Sequence, residues 1–115
     1  MGVQGVNGTG VPEGNNRYFV PVPYLGTDAL ERAVAEHAGD LAAILIDPAA
    51  MCVTPADPQH WKDGPFLERA RHLASKHGAL LIFDEIMTGF RFRSGSAAAA
   101  FGVVPDMTCL VSCLI

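Results

Sequence analysis

The sequence predicts an α/β domain built on a parallel sheet, and three observations support this fold class. Short apolar runs that stop at polar residues alternate along the chain with longer segments of helical periodicity. No hairpin signal joins one run to the next, so right-handed crossovers should connect the strands and place helices on the faces of the sheet. Ligands of open parallel sheets bind beyond the carboxyl ends of the strands, so residues at those ends are the first candidates for function.

The first segment, residues 1–26, carries six glycines and three prolines, and little regular structure is predicted there. Within it we expect one short extended stretch, residues 17–22. The glycines do not lie between a strand and a helix, so they do not indicate a phosphate-binding loop. The rest of the chain, residues 27–115, forms the α/β segment.

The α/β segment begins with a predicted helix at 28–38, where apolar residues recur at helical spacing. Asp28 and Glu31 have the spacing of a capping box, and Gly39 is placed to end the helix. The apolar run at 41–46 stops at an Asp-Pro pair, which is typical of a strand buried on both faces.

The second half of the chain repeats this alternation. A helix is predicted at 65–77, where one apolar stripe is closed by Gly78. A strand at 79–84, a helix of small residues near 95–101 and a third apolar run at 107–115 follow. The sheet should therefore contain three strands.

Composition limits the possible functions. With 115 residues, half of them hydrophobic, the chain can bury one modest core but is short for a site between two domains. Twelve acidic residues against eight basic ones give a net charge of −4 without any basic run, so we expect no nucleic-acid partner. Three cysteines and four histidines show no metal-ligand spacing, and no apolar run approaches a membrane span. We expect a cytoplasmic protein with reduced, mostly buried thiols, no metal and no membrane partner.

The most informative stretch is ALLIFDEIMTGF at 79–90, in which a strand ends at Asp84 and Glu85. The two carboxylates have a structural interpretation, as a solvated strand end or a cap of the next turn. In a nucleotide hydrolase, the Asp would hold magnesium and the Glu would orient water. That chemistry also needs a glycine-rich loop ending in Gly-Lys-Ser/Thr, and neither Lys62 nor Lys76 follows one. The 115 residues therefore contain no phosphate-binding loop of the kind that a nucleotide hydrolase requires.

A third interpretation of the same stretch is a site for pyridoxal phosphate. One carboxylate at the strand end would hydrogen-bond the pyridine nitrogen and keep it protonated, so that the ring withdraws electrons from the substrate's α-carbon. A short branched apolar residue just beyond the carboxylate would pack on the ring face, and Ile86 has that position.

The segments HGALLIFDEIMTGFRF at 77–92 and FGVVPDMT at 101–108 resemble the class III pyridoxal phosphate aminotransferases, in particular their glutamate-1-semialdehyde aminomutase branch. PYLGTDALE at 23–31 and LAAILIDP at 41–48 are also similar to that family. The resemblance implies a partial three-layer fold, a slice from the large domain of the fold type I pyridoxal-phosphate-dependent transferases. It also implies pyridoxal 5′-phosphate as cofactor, amino transfer on a small amino acid or aldehyde such as glutamate 1-semialdehyde, and a homodimer.

The resemblance assigns Asp84 to the pyridine nitrogen and Ile86 to the ring face. Two further positions depart from the family. The acidic residue that follows the strand at 41–46 is Asp47 where the family has Glu, and the residues after it offer no Asn or Gln to the ring hydroxyl. The family's Schiff-base lysine aligns with Ser112, at 112 − 84 = 28 residues beyond Asp84.

A serine hydroxyl can neither anchor the cofactor nor move the α-proton, so we identify no catalytic residue and expect the chain to be inactive as it stands. Either the reading frame leaves the family near residue 110, or the chain is a degenerate relative. An alternative function is a non-catalytic fragment that pairs with or regulates an intact homologue, and its mark would be apolar surface left bare by missing segments.

Overall fold

The computed structural model describes residues 14–49, 60–92 and 95–111, and these contain a three-stranded parallel sheet. The strands are β1 (Ala43–Ile46), β2 (Leu80–Asp84) and β3 (Met107–Cys109), in the spatial order β1-β2-β3. Both pairs of neighbouring strands are parallel. The predicted α/β class with a parallel sheet is confirmed.

Three α-helices connect or precede these strands. They are α1 (Thr27–Glu36), α2 (His60–His77) and α3 (Ala97–Phe101), and a single turn of 3-10 helix covers Asn15–Tyr18. The chain thus runs from α1 through β1, α2, β2 and α3 to β3. This is the alternation that the apolar runs and helical stripes predict.

The hydrophobic core lies between the helices and one face of the sheet. Side chains alternate between the two faces of a strand, and the buried ones in β1 and β2 share the face on which α2 packs, while α1 packs against α2. Register places Ile44 opposite Leu81 and Ile46 opposite Phe83, so the buried apolar pairs are in phase. The core cluster contains Leu30, Val34, Ile44, Ile46, Phe66, Leu67, Ala70, Leu73, Ala74, Leu81, Phe83 and Val103.

The opposite face of the sheet, here called the bare face, carries apolar side chains that no described element covers. Leu45 is 62% exposed, Leu80 45% and Met107 53%, while Ile82 lies half-buried between its neighbours Leu45 and Met107. The expectation that the strand at 41–46 is buried on both faces is therefore wrong for the described chain. The apolar run of β1 therefore has one face in the core and one face that no described element covers.

The predicted beginning of the first helix needs correction. Of the stretch predicted as extended at 17–22, Arg17 and Tyr18 lie in the 3-10 turn, and residues 19–22 belong to no strand. Asp28 and Glu31 form no capping box: Gly26 is the N-cap, and no side chain caps the helix. Glu31 instead pairs with Arg69 of α2 through a contact of 2.6 Å between Oε1 and Nε, since both residues lie on facing helices.

The ends of the other elements also differ from the predictions. α1 stops at Glu36 with His37 as its C-cap, before Gly39. α2 begins at His60, five residues before the predicted start at Pro65, and ends as predicted at Gly78, whose φ of +69° suits glycine. Ser96 caps α3 by accepting a hydrogen bond from the amide of Ala99. The third strand stops at Cys109, and residues 112–115 of the predicted run lie outside the described residues.

Asp106 joins three elements at the amino-terminal edge of the sheet. Its Oδ2 accepts hydrogen bonds from the amide of Leu81 in β2 and from Nη1 of Arg71 in α2, each at 2.7 Å. Its own amide donates to the carbonyl of Leu81 at 2.8 Å. The Leu81 amide and then the Arg71 guanidinium hold the pKa of Asp106 below its usual range, because both stabilise the carboxylate. The aspartate of the Pro-Asp motif before β3 thus has a structural role, because it links β3 to α2 and β2.

Candidate functional site

Asp84 is the last residue of β2, at the carboxyl-terminal edge of the sheet. Strand alternation places its side chain on the same side as the bare face, and it is partly exposed. Among the described residues, the donor that reaches this carboxylate is the amide of Ile86, 3.1 Å from Oδ1. One oxygen therefore remains able to accept a hydrogen bond from a ligand beyond the strand.

Glu85, next to Asp84, has the opposite environment. Its side chain is 1% exposed and turns toward α3, where Oε2 accepts from the amide of Ala97 at 2.8 Å and Oε1 from Ala98 at 3.4 Å. The first amides of a helix have no partner within the helix, so this carboxylate satisfies two of them. The two adjacent acids thus differ: Asp84 is partly exposed, whereas Glu85 is buried and hydrogen-bonded to the start of α3.

The turn after Glu85 is packed tightly against it. The amide of Gly89 donates to the carbonyl of Glu85 at 2.8 Å, and a Cβ on Gly89 would lie 2.7 Å from that oxygen and 2.8 Å from Cδ2 of Leu110. Thr88 is buried, and its hydroxyl finds no hydrogen-bond partner in the described structure. Glycine is therefore required in this turn for space, which explains the Thr-Gly pair of the motif.

Ile86 follows the two carboxylates with an exposed side chain. It is 45% exposed, Met87 46% and Phe90 79%, so the turn presents apolar surface beyond the strand end. Phe90 has a φ of +64°, a left-handed conformation that costs energy for a bulky residue. The Asp84 carboxylate could accept a hydrogen bond from the edge of a protonated aromatic ring, and the exposed side chain of Ile86 could pack on the face of that ring.

The other predicted site positions are less complete. Asp47 follows β1 at the same edge of the sheet as Asp84, is half-buried, and accepts a hydrogen bond from the amide of Ala49 at 3.3 Å. Ser112 lies outside the described residues, so its alignment with the family lysine stays a prediction. Lys76, in the last turn of α2, leads into the start of β2 and is therefore at the far edge of the sheet from Asp84.

Sequence reasoning missed a buried polar contact between the first segment and α2. The hydroxyl of Tyr24 lies 2.8 Å from Oδ1 of Asp63 and 3.0 Å from the carbonyl oxygen of Pro48, and Asp63 is 1% exposed. The ring of Tyr24 also packs edge to face on Phe66, with centroids 5.5 Å apart. No sequence signal indicates this contact, because its partners are 39 residues apart. It holds the chain before α1 against the end of β1.

The described residues contain no group of three or more His, Cys, Asp or Glu side chains that could hold a metal ion. None of the helices in residues 14–49, 60–92 and 95–111 is long and apolar enough to cross a membrane. Cys109 is a free thiol but is exposed, so the expectation of buried thiols is wrong for this residue, while Cys52 and Cys113 fall outside the described residues.

Asp84 ends a strand of a parallel sheet and is followed by a turn that requires glycine. Among protein families, the model of the class III aminotransferases matches residues 19–114. The chain belongs to the class III aminotransferase family. Members of this family use pyridoxal phosphate.

Among curated proteins, the chain is 44% identical over 101 residues to glutamate-1-semialdehyde 2,1-aminomutase 2 of Staphylococcus haemolyticus, a match that covers 88% of this chain and 23% of the relative. It is 47% identical over 102 residues to the aminomutase of Syntrophobacter fumaroxidans, covering 88% and 22%. The chain therefore spans about a quarter of the length of these relatives.

A solved ω-transaminase from Sphaerobacter thermophilus is similar in structure, with a TM-score of 0.71 and 33% identity over 88% of this chain and 22% of that protein. A β-phenylalanine aminotransferase from Variovorax paradoxus gives a TM-score of 0.63 and 29% identity, over 78% and 20%. The predicted family and its fold type I large domain are confirmed.

Proposed function

We propose that this chain forms the part of a pyridoxal-phosphate-dependent aminotransferase or aminomutase that binds the pyridine ring of the cofactor. The whole enzyme would act on a small amino acid or aldehyde such as glutamate 1-semialdehyde. The observation that carries the proposal is the environment of Asp84. It ends a central strand, keeps one oxygen available, and is followed by an exposed Ile86. The curated aminomutases that match the chain support the substrate class.

In this proposal, Asp84 accepts a hydrogen bond from the protonated pyridine nitrogen, and its negative charge keeps that nitrogen protonated. Ile86 packs on one face of the ring and fixes its plane. When bound, pyridoxal phosphate supplies an electron-withdrawing ring that stabilises negative charge at the substrate's α-carbon. Asp84 thus acts on the reaction through the charge that it holds at one atom of the ring.

The chain should lack the amine that this chemistry requires. Ser112 occupies the aligned lysine position, so the chain has no lysine where the family has its Schiff-base lysine. We therefore propose that these residues bind and orient the ring without supplying the base, and that activity needs further segments of the family. As for the family's intact members, we propose a cytoplasmic homodimer as the working form, with small-molecule amino donors and acceptors.

A chimera tests this function. Residues 19–111 would replace the matching segment of the Staphylococcus haemolyticus aminomutase, which then supplies its own lysine and phosphate contacts. We expect retained cofactor and aminomutase activity, with Asp84→Asn lowering the rate at least about a hundredfold because ring protonation is lost. Asp40→Asn is the matched control, since Asp40 is exposed and precedes the amino end of β1. Equal rates for both variants would refute the assignment.

The bare face favours a second candidate function, a non-catalytic fragment that pairs with an intact class III homologue. Its apolar residues extend across all three strands, and relatives about four times longer share the fold. The candidate occupant is therefore the remainder of a class III large domain. Coexpression with the Staphylococcus haemolyticus aminomutase should give a complex that Leu45→Lys disrupts and Asp40→Asn does not. Failure of copurification would contradict this candidate.

A further inference from the structure

We propose that Glu85 is the positioning residue of the site: its buried carboxylate locks the end of β2 to the start of α3 and thereby fixes the directions of Asp84 and Ile86. The inference deepens the proposed function and rests on it. It assigns to the second acid of the Asp-Glu pair a role that requires no contact with the cofactor.

The first support is the number of elements that meet at Glu85. Its amide donates to the carbonyl of Cys109 at the end of β3, 2.9 Å away. Its carbonyl accepts from Gly89 in the turn at 2.8 Å. Its carboxylate accepts from Ala97 at 2.8 Å and more weakly from Ala98 at 3.4 Å. The backbone of this residue is therefore held from two directions and its side chain from a third.

The second support is the sequence position of the two residues that face the ligand. Asp84 and Ile86 flank Glu85, and they are also joined to each other by the Ile86 amide and Asp84 Oδ1, 3.1 Å apart. A rotation of the backbone at Glu85 would swing both side chains together. The Gly89 amide, which donates to the Glu85 carbonyl at 2.8 Å, restrains that rotation from the turn.

The third support is the burial of Glu85. The side chain is 1% exposed, and a buried carboxylate is expensive unless it is hydrogen-bonded. Its hydrogen-bond donors are the first two amides of α3, a short helix that also has a Ser96 cap. The carboxylate thus ties the start of α3 to the residue that lies between Asp84 and Ile86.

The test uses the full chain with three variants: Glu85→Ala, Glu85→Gln and, as matched control, Glu68→Ala, whose side chain is exposed on α2. Amide hydrogen exchange is measured by NMR at Ala97 and at Ile86 without ligand. We expect Glu85→Ala to speed exchange at both amides by about tenfold or more, because bonds to a charged acceptor are lost. Glu85→Gln, which keeps an acceptor oxygen, should restore most of the protection, and the control should change neither amide.

The second readout uses the cofactor-free chimera with residues 19–111, in which the aminomutase segments supply the phosphate contacts: the pH titration of the ring nitrogen of added pyridoxine 5′-phosphate is followed by absorbance. This probe has no aldehyde and needs no lysine. Asp84→Asn should remove the shift that the chain imposes on the ring, Glu85→Ala should reduce it at least about threefold, and Glu85→Gln should retain it.

The two readouts separate the two ideas. If Glu85→Ala leaves exchange at Ile86 unchanged, the positioning role is overturned even where Asp84→Asn alters the ring titration. If Asp84→Asn leaves the ring titration unchanged, the proposed function fails, and exchange at Ile86 still decides whether Glu85 sets the strand end.

Discussion

A pair of adjacent substitutions in β1 tests whether the helices cover only one face of the sheet. Ile44 is 7% exposed and faces the helices, while Leu45 is 62% exposed and lies on the bare face. Ile44→Lys and Leu45→Lys each replace an aliphatic side chain with lysine, at adjacent positions of the same edge strand. The structure predicts that the two variants behave in opposite ways.

The expected magnitudes follow from these exposures. Burying a leucine is worth about 1.5–3 kcal/mol, and Leu45 is only about two-fifths buried, so Leu45→Lys should cost about 1 kcal/mol or less. Ile44→Lys removes a core side chain at a cost of about 2–5 kcal/mol. It also places an ammonium among apolar groups, which adds several kcal/mol. That sum consumes most of the stability of a small domain, about 5–15 kcal/mol.

The assay combines far-ultraviolet circular dichroism with analytical ultracentrifugation of the isolated chain. The parent chain should self-associate through its bare face, since large exposed apolar patches do so. Leu45→Lys should keep the helical signal and increase the monomer fraction, because lysine on an edge strand also opposes pairing. Ile44→Lys should lose the helical signal. Equal loss of helix in both variants, or a fully monomeric parent chain, would refute the one-sided arrangement.

Further predictions concern single contacts. Asp106 has a lowered pKa, so its carboxylate should stabilise the fold above its unfolded pKa of about 3.9, and this contribution should be lost as the pH falls through the lowered folded pKa. Asp106→Asn should therefore flatten the acid dependence of Leu81 amide exchange below about pH 3.9. An unchanged dependence would argue against a stabilising role of the Asp106 carboxylate. Gly89→Ala should disrupt the turn, because its Cβ would lie 2.7 Å from a backbone oxygen, whereas Gly64→Ala, with its nearest atom at 3.9 Å, should be tolerated, as judged by the chemical shifts of Glu85 and Ile86. Ser96→Ala should weaken α3 by about 1 kcal/mol, seen as faster exchange at Ala99. A chimera that extends to residue 115 should gain Schiff-base absorbance only with Ser112→Lys, and a reducible adduct without that lysine would show that the alignment is wrong.

The sequence predicts the elements of this fold because their signals are local. Helical stripes and apolar runs identify each helix and strand, and Gly78 ends α2 where its left-handed conformation is needed. The capping box at Asp28 failed because spacing alone does not show whether a side chain turns back to the helix or, as Glu31 does, reaches a neighbouring helix. The early start of α2 was missed because Gly64 and Pro65 normally mark a helix boundary.

The candidate site is predicted from sequence only in part. Asp84 and Ile86 stand out because a strand end concentrates ligand contacts. Whether Asp84 or Glu85 is buried depends on the position of α3, and the spacing of residues in the sequence does not predict that position. The contact between Tyr24 and Asp63 is likewise invisible in the sequence, since it depends on tertiary packing across 39 residues. Long-range contacts of this kind need the folded coordinates.

The central claim is that Asp84 holds the proton of the cofactor's ring nitrogen, and the ¹⁵N chemical shift of that nitrogen measures it most directly. The chimera with residues 19–111 would be loaded with ¹⁵N-labelled pyridoxal 5′-phosphate and compared with its Asp84→Asn and Asp40→Asn variants. We predict the shift of a protonated ring in the parent and in Asp40→Asn, and that of a neutral ring in Asp84→Asn. A protonated ring in Asp84→Asn would contradict the assignment of Asp84.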